Sequence, residues 1–547
     1  MLNTKSPGTE GVWASLSRRQ VLGASAIATL TAGGLNACVS LVAGPQAASV
    51  AAPELEALAP PAPREFRAAW VATVANIDWP SRKGLSSTQQ QAEMHAILNQ
   101  AVAMKLNALI LQIRTGADAL YSSALEPWSE YLTGTQGRAP EPFYDPLALW
   151  IEQAHARGLE LHAWFNPFRA RSNQAGSPAA PNHLSQTQPA WVKTYGDQLW
   201  IDPGDRAAAD HTLAVFVDVL RRYDVDGIHI DDYFYPYPVT QGKDSAVELD
   251  FPDHPAWQRY VDSGGSLARN DWRRSNVDAL IARIFTAIRN IKPWVRFGVS
   301  PFGLGRPELR PSGIQGFSQY HKLYADVERW LQQGWMDYLV PQLYWRIDQT
   351  AQAFIPLLEY WHAQNPHNRH IYPGLFTSKI AAPGADTKAA WAPEEIASQI
   401  AAVRDRAPGT GHVHFSMVAL MQNRQGIADT LKIQTYVTPA LVPASPWLES
   451  GAPAAPVAHL TVQPDGAFEL SLRTPPAGKP AVRWAVWLRW GEQWEFQVCL
   501  QPKLTIPATR ASAIGMPLTG IVLSALDRVG NESQRVGLTP LRVTGAD

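Results

Sequence analysis

The chain has 547 residues, which at roughly 100–200 residues per domain gives two to four domains and excludes a peptide or a bare coiled coil. Lys and Arg number 47 against 48 Asp and Glu, a net charge of −1, so no basic excess exists to neutralise a phosphate backbone and no nucleic acid partner is expected. The 46% hydrophobic content excludes a collagen-like or disordered chain, while 44 prolines and 21 tryptophans point to ordered loops and to flat rings that fill cores or stack on sugars.

At the N-terminus, Arg18-Arg19 precedes a mildly apolar stretch over 21–35 and then Leu35-Asn36-Ala37-Cys38. This resembles a twin-arginine signal peptide over residues 1–37 ending in a lipobox, with Cys38 the lipidated first residue of the mature chain. Cys499 is then left without a disulfide partner. The alternative is an ordinary short apolar helix. Val39 stands where an inner-membrane retention signal would put Asp, which favours a lipid-anchored protein of the bacterial cell envelope, at the outer membrane and facing the periplasm. No other apolar run reaches the roughly 18 residues that span a bilayer, so membrane contact is expected through the N-terminal lipid alone. Residues 38–63, rich in Ala and Pro, read as a semi-rigid spacer.

From residue 66, short β-branched or aromatic runs alternate with helical periodicity, the pattern of parallel βα units. Eight runs are predicted as strands: 66–74, 107–114, 159–166, 225–232, 295–302, 338–345, 370–376 and 412–420. Helices are predicted between them, among others over 88–105, 145–157, 207–223, 273–292, 320–333 and 394–406. The expected fold class is therefore α/β, a (β/α)8 TIM barrel over 64–435. A doubly wound sheet is the alternative, though no glycine-rich dinucleotide loop follows the first strand. The long segments 115–144, 167–206 and 233–272 follow strand ends, where this fold builds its site. A Pro-rich hinge and a small β-sandwich are expected over 436–547. There Trp484 and Trp490 point to one side and Trp487 to the other, one side being core and the other binding glycan or packing on the barrel.

The fourth run carries Asp226-Gly227-Ile228-His229-Ile230-Asp231-Asp232-Tyr233. Alternation puts His229 and Asp231 on one face and Asp232 on the other, so only one carboxylate is expected to face the axis. The spacing resembles the fourth-strand motif of the α-amylase clan, whose last Asp is the nucleophile; Asp231 is preferred, and bending at the strand end would present Asp232 instead.

Five segments together resemble the glycosyl hydrolase-like 10 family over about 66–420. They are Arg67 to Pro80 with its Asn76-Ile77-Asp78-Trp79-Pro80 end, Trp164-Phe165-Asn166-Pro167-Phe168-Arg169, the Asp231-Asp232 motif, Val299-Ser300-Pro301-Phe302-Gly303, and Gly334 to Trp345. The resemblance implies a (β/α)8 barrel, an envelope location and glycoside hydrolysis. It also implies a glycan substrate, as members of the family cut peptidoglycan strands stripped of their stem peptides. Residues 524–533 are similar to the last strands of a fibronectin type III module.

Glycoside hydrolysis normally takes two carboxyl groups. The pair at the fourth strand supplies one, and Asp118 and Asp78 are the remaining acids nearest strand ends. Asp118, with Arg114 nearby, ranks next as catalytic, or else hydrogen-bonds a sugar hydroxyl. Asn166, Gln342, Tyr344 and His229 offer hydrogen bonds, and Trp79, Trp164, Tyr233 and Trp345 offer stacking faces. Arg169 pairs with Asp231 or reaches the lactyl carboxylate of a muramic acid. No cofactor is expected. A metal site built on His412, His414 and His229 lacks an acidic cluster to complete it, and neither a G-x-S-x-G elbow nor a P-loop is present. The competing reading is a non-catalytic glycan-binding lipoprotein with a degenerate barrel, because the fifth strand end carries Ser300 where an acid would stand.

Overall fold

The computed structural model describes residues 49–242, 246–476, 478–509 and 516–541; the signal peptide and Cys38 lie outside them. All eight predicted strands form, in one parallel sheet: Phe66–Val71, Ala108–Arg114, Glu160–Phe165, Gly227–Ile230, Arg296–Val299, Tyr338–Leu339, a seventh in two pieces (His370–Ile371 and Gly374–Leu375), and Gly411–His414. Strands adjacent in sequence are adjacent in the sheet, so the doubly wound alternative, which needs a reversal of order, is excluded. The sheet curls on itself. His370 pairs with Tyr338, and Gly374 with Val413, so the two ends of the strand order belong to one stretch of chain. This is a TIM-barrel-like α/β fold.

Period-2 alternation decides what faces the axis. Phe66, Ala68, Trp70 and Ala72 point inward to a cluster with Ile110, Trp164 and Tyr338, whereas Ala69 and Val71 join the core between sheet and helices. Small residues are required where large ones reach across. A Cβ on Gly298 would overlap the Tyr338 ring, and one on Gly227 the His162 ring. The helices follow expectation closely (Ser87–Ala103, Pro146–His155, Arg206–Arg222, Arg269–Ile291 and Pro393–Arg406). One differs. The helix expected over 320–333 is two, Gln319–Lys322 and Val327–Gln332, because Tyr324 adopts φ 54° and Asp326 caps the second by accepting from the Arg329 amide at 3.4 Å.

Beyond the Pro-rich hinge, strands Val457–Val462, Phe468–Arg473 and Lys503–Ile506 form one antiparallel sheet. Strands Arg483–Trp490, Gln493–Cys499, Leu518–Leu526 and Val536–Pro540 form another. The stretch read as spacer departs from that reading at Ser49. Residues Ser49–Ala51 pair antiparallel with 538–540 as a fifth strand, and helix Pro53–Leu58 follows. The physical reason is an available sheet edge next to an apolar face: Leu55 and Ala59 pack with Leu441, Trp487, Phe496 and Val522. The two faces of the Trp-rich strand thus divide, Trp484 and Trp490 entering the core between the sheets and Trp487 this second cluster.

Candidate active site

The fourth strand ends at Ile230, and the chain turns tightly there, with the Phe234 amide donating to the Asp232 carbonyl at 3.0 Å. That turn overrides strict alternation. Asp231 keeps the axial side it shares with His229, and Asp232 is swung to the same place, so both carboxylates line one cavity of about 200 Å³ at the C-terminal end of the sheet. The expectation that only one faces the axis is corrected accordingly. The cavity is completed by Trp70 of the first strand and Ala72, Val74 and Ile77 after it, Gln112 of the second, Trp164 of the third, Arg169, Tyr233, Ser300, Gln342, Tyr344 and Phe415.

The Trp164 indole N–H donates to Asp231 Oδ2 at 2.9 Å, while Asp231 Oδ1 is buried with no hydrogen bond of full geometry. Burial, and after it the neighbouring Asp232 charge, push Asp231 up to about 7, against the smaller downward pull of Arg169, the Trp164 N–H and the Tyr233 backbone N–H. Asp232 accepts from the Tyr237 hydroxyl. Burial also raises Asp232, and the Tyr237 hydroxyl and the Gln342 amide oppose it. Two like charges in one buried site repel, which opposes ionising both carboxyls together. Arg169 is the one cation among the described lining residues. Its guanidinium lies 4.0 Å from the Tyr233 ring centre and its Nε is buried without a partner. No ion pair joins it to Asp231 among the described residues.

His229 does not reach the cavity. Its Nε2 accepts from the Trp70 indole at 3.2 Å and its Nδ1 lies 3.1 Å from the Tyr338 hydroxyl, while burial drives its pKa well below the ordinary value. It is a neutral floor that fixes Trp70. Gln112 holds the loop after the first strand, its Oε1 accepting from the Thr73 and Val74 amides at 3.1 and 2.9 Å.

Several expected site residues are placed elsewhere by ordinary structural demands. Asp118 Oδ1 accepts from the Thr115 amide, the Thr115 hydroxyl and the Gly116 amide (3.0, 2.7 and 2.9 Å), shaping its own turn. Arg114 is fully buried, forks onto Glu126 at 2.7 and 2.5 Å and donates to the Asn166 and Pro167 carbonyls. Asn166 in turn accepts the Arg169 amide at 2.9 Å, so it shapes the loop that delivers Arg169. Trp79 is core, edge-on to Trp150. Asp78 joins the ends of the first and eighth strands, Oδ2 accepting from the Ala72 amide and Oδ1 from the Ser416 hydroxyl and the Val418 amide; burial raises it to about 6. Trp345 packs on Phe302 outside the lining. His412 and His414 share the Tyr436 hydroxyl, and among the described residues no group of three or more His, Cys, Asp or Glu is arranged to hold a metal.

Trp70, Gln112, Tyr237, Ser300 and Phe415 are site residues that no expectation from sequence covers. Trp70 and Ser300 sit inside motifs that were recognised, and Gln112 is the lone uncharged polar residue in an otherwise apolar strand, a usable signal. Nothing local marks Tyr237 or Phe415.

The family model described as glycosyl hydrolase-like 10 matches residues 65–393. Glycosyl hydrolase YngK of Bacillus subtilis (strain 168) is 39% identical over 485 residues, which cover 86% of this chain and 92% of that protein. Glycosyl hydrolase DigH of Escherichia coli (strain K12) is 34% identical over 339 residues, 58% of this chain and 74% of its own. Among solved structures, the catalytic domain of beta-amylase from Paenibacillus polymyxa aligns with a TM-score of 0.44 at 12% identity, over 69% of this chain and 99% of that one.

Proposed function

The chain belongs to the glycosyl hydrolase-like 10 family, and from that premise we propose that it is a glycosidase whose active site is the cavity around Asp231 and Asp232. The observation that carries this is the pair itself: two adjacent buried carboxyls, both raised by burial and Asp231 further by the Asp232 charge, in a pocket walled by aromatic rings. Such a pair keeps one group protonated to donate to a leaving oxygen while the other stays charged to stabilise developing positive charge. The barrel is read as (β/α)8 and the C-terminal sandwich as fibronectin type III-like.

The substrate proposed is the glycan of peptidoglycan freed of its peptides. Arg169 supports it, because a guanidinium that makes no ion pair among the described residues and lines the same cavity as the carboxylates suits the lactyl carboxylate of a muramic acid. The Arg18-Arg19 to Cys38 pattern supports a mature protein lipidated at Cys38 and held at the outer membrane facing the periplasm. Release of reducing ends from peptide-free strands tests the activity. Asp231→Asn and Asp232→Asn are each expected to lose at least about 10²-fold, the low end of what acid–base catalysis contributes, with melting transitions retained. A second reading has one observation in its favour: Ser300, and no acid, stands at the fifth strand end of the cavity. It is a glycan-binding lipoprotein, and wild type that binds strands without cutting them would select it.

A further inference from the structure

We propose that the nucleophile of this site is the 2-acetamido group of the substrate sugar, with Asp231 accepting its N–H and Asp232 supplying the proton to the leaving oxygen. This rests on the glycosidase reading above and goes beyond it by naming what attacks the anomeric carbon.

Glycosidases that use two protein carboxyls place them on either side of the scissile bond, about 5–9.5 Å apart. Here both come from consecutive residues, whose α-carbons are about 3.8 Å apart. The rest of the described lining, from Trp70, Ala72, Val74, Ile77 and Gln112 through Trp164, Arg169 and Tyr233 to Ser300, Gln342, Tyr344 and Phe415, carries no other carboxyl. The acids at neighbouring strand ends are committed: both Asp78 oxygens and Asp118 Oδ1 accept hydrogen bonds that hold their own loops. Among the described lining residues, no third carboxyl is available to attack C1 from the side opposite the leaving group. A substrate carrying its own nucleophile removes that requirement, as happens in substrate-assisted glycosidases.

Asp231 fits the acetamido N–H. Its Oδ2 is fixed by Trp164, and its Oδ1 is buried with no hydrogen bond of full geometry, only the Tyr233 backbone N–H acting on the carboxyl, so an added donor there is favourable. Around it, Trp70, Trp164, Tyr344 and Phe415 give an apolar lining for a methyl group. A volume of about 200 Å³ lies below the roughly 300–1,000 Å³ of pockets that enclose a whole ligand, and so suits part of one ring. An N–H donated to Asp231 favours its charged form, and repulsion within the pair then favours a proton on Asp232.

The steps balance. The acetamido carbonyl oxygen bonds to C1 as the bond from C1 to the leaving oxygen breaks; its electron pair goes to that oxygen, which takes the Asp232 proton. The oxazolinium so formed keeps its N–H on the Asp231 carboxylate. Water then adds to C1 and gives a proton to Asp232, while the C1–O bond of the five-membered ring opens and returns its pair to the acetamido oxygen. The product retains its anomeric configuration and both carboxyls are restored.

The test uses the full-length protein, peptide-free peptidoglycan strands, the same strands chemically N-deacetylated, and the thiazoline fused to N-acetylglucosamine as a probe of the cyclised group. Expected are retained configuration in the first product, competitive inhibition by the thiazoline, and cleavage of deacetylated strands at least about 10²-fold slower. Thiazoline binding should weaken at least tenfold in Asp231→Asn and persist in Asp232→Asn. Cleavage with inverted configuration, equal cleavage of deacetylated strands, or a glycosyl ester trapped on any Asp or Glu overturns this inference and leaves the glycosidase reading standing. No cleavage of any strand by wild type overturns both.

Discussion

Asp231 illustrates how a carboxyl buried in a cavity weakens the fold that holds it. Its pKa is near 7 in the folded protein against 3.8 ordinarily. Below about pH 4 the carboxyl is neutral in both states and costs nothing; as pH rises toward 7 the unfolded chain ionises first, so stability falls across that window. Asp231→Asn is therefore expected to melt with wild type at pH 4 and above it at pH 8, while losing turnover. Thermal melts at the two pH values check this, and equal transitions at pH 8 would refute the burial argument. Removing Asp118 should instead weaken the fold, because its Oδ1 holds a turn. Asp118→Ala should cost roughly 1–3 kcal/mol in denaturant unfolding with near wild-type turnover per folded molecule. At this scale the two carboxyls of the cavity were legible, since polar residues ending an apolar strand are costly to bury. Trp79 and Arg114 were not, because an aromatic or guanidinium group serves a sugar or a core equally well, and what buries them, Trp150 and Glu126, is far away in sequence for one and indistinct for the other.

The loop after the third strand depends on a buried ion pair. Arg114, locked by Glu126, holds the Asn166 and Pro167 carbonyls, and Asn166 orients the segment bearing Arg169. Removing one partner of such a pair leaves an uncompensated buried charge, at a cost of about 3–5 kcal/mol. Glu126→Gln should show that loss in chemical unfolding and a raised KM for strands containing muramic acid, since Arg169 loses its support; an unfolding change below about 1 kcal/mol would mean the pair is not what fixes the loop. All eight strands could be read from alternation and apolar runs. The broken helix at Tyr324 and the inward swing of Asp232 could not, because both arise where a chain leaves regular structure and local hydrogen bonds, not periodicity, set its direction.

Across the whole molecule, the C-terminal sandwich and the residues preceding the first parallel strand are built into one body with the barrel. Arg64 bonds Glu532 at 2.9 Å, Arg528 reaches Asp224 and Asp226, and Leu55 covers Trp487 and Phe496. A chain beginning at Pro63 would lose the fifth sandwich strand and uncover that cluster, so it should unfold at a lower temperature than one beginning at Ala47; equal transitions would show the segment to be dispensable. Composition concealed this, since an Ala/Pro-rich stretch looks like a spacer until the edge at 538–540 that receives it is known. The claim on which all of this converges is that the Asp231–Asp232 cavity hydrolyses glycosidic bonds. The most direct measurement is the rate at which reducing ends appear from peptide-free peptidoglycan strands, for wild type, Asp231→Asn and Asp232→Asn at matched folded concentration. Wild-type turnover with at least about 10²-fold loss in each variant is predicted; wild type that releases none, or variants that keep pace with it, would contradict the account.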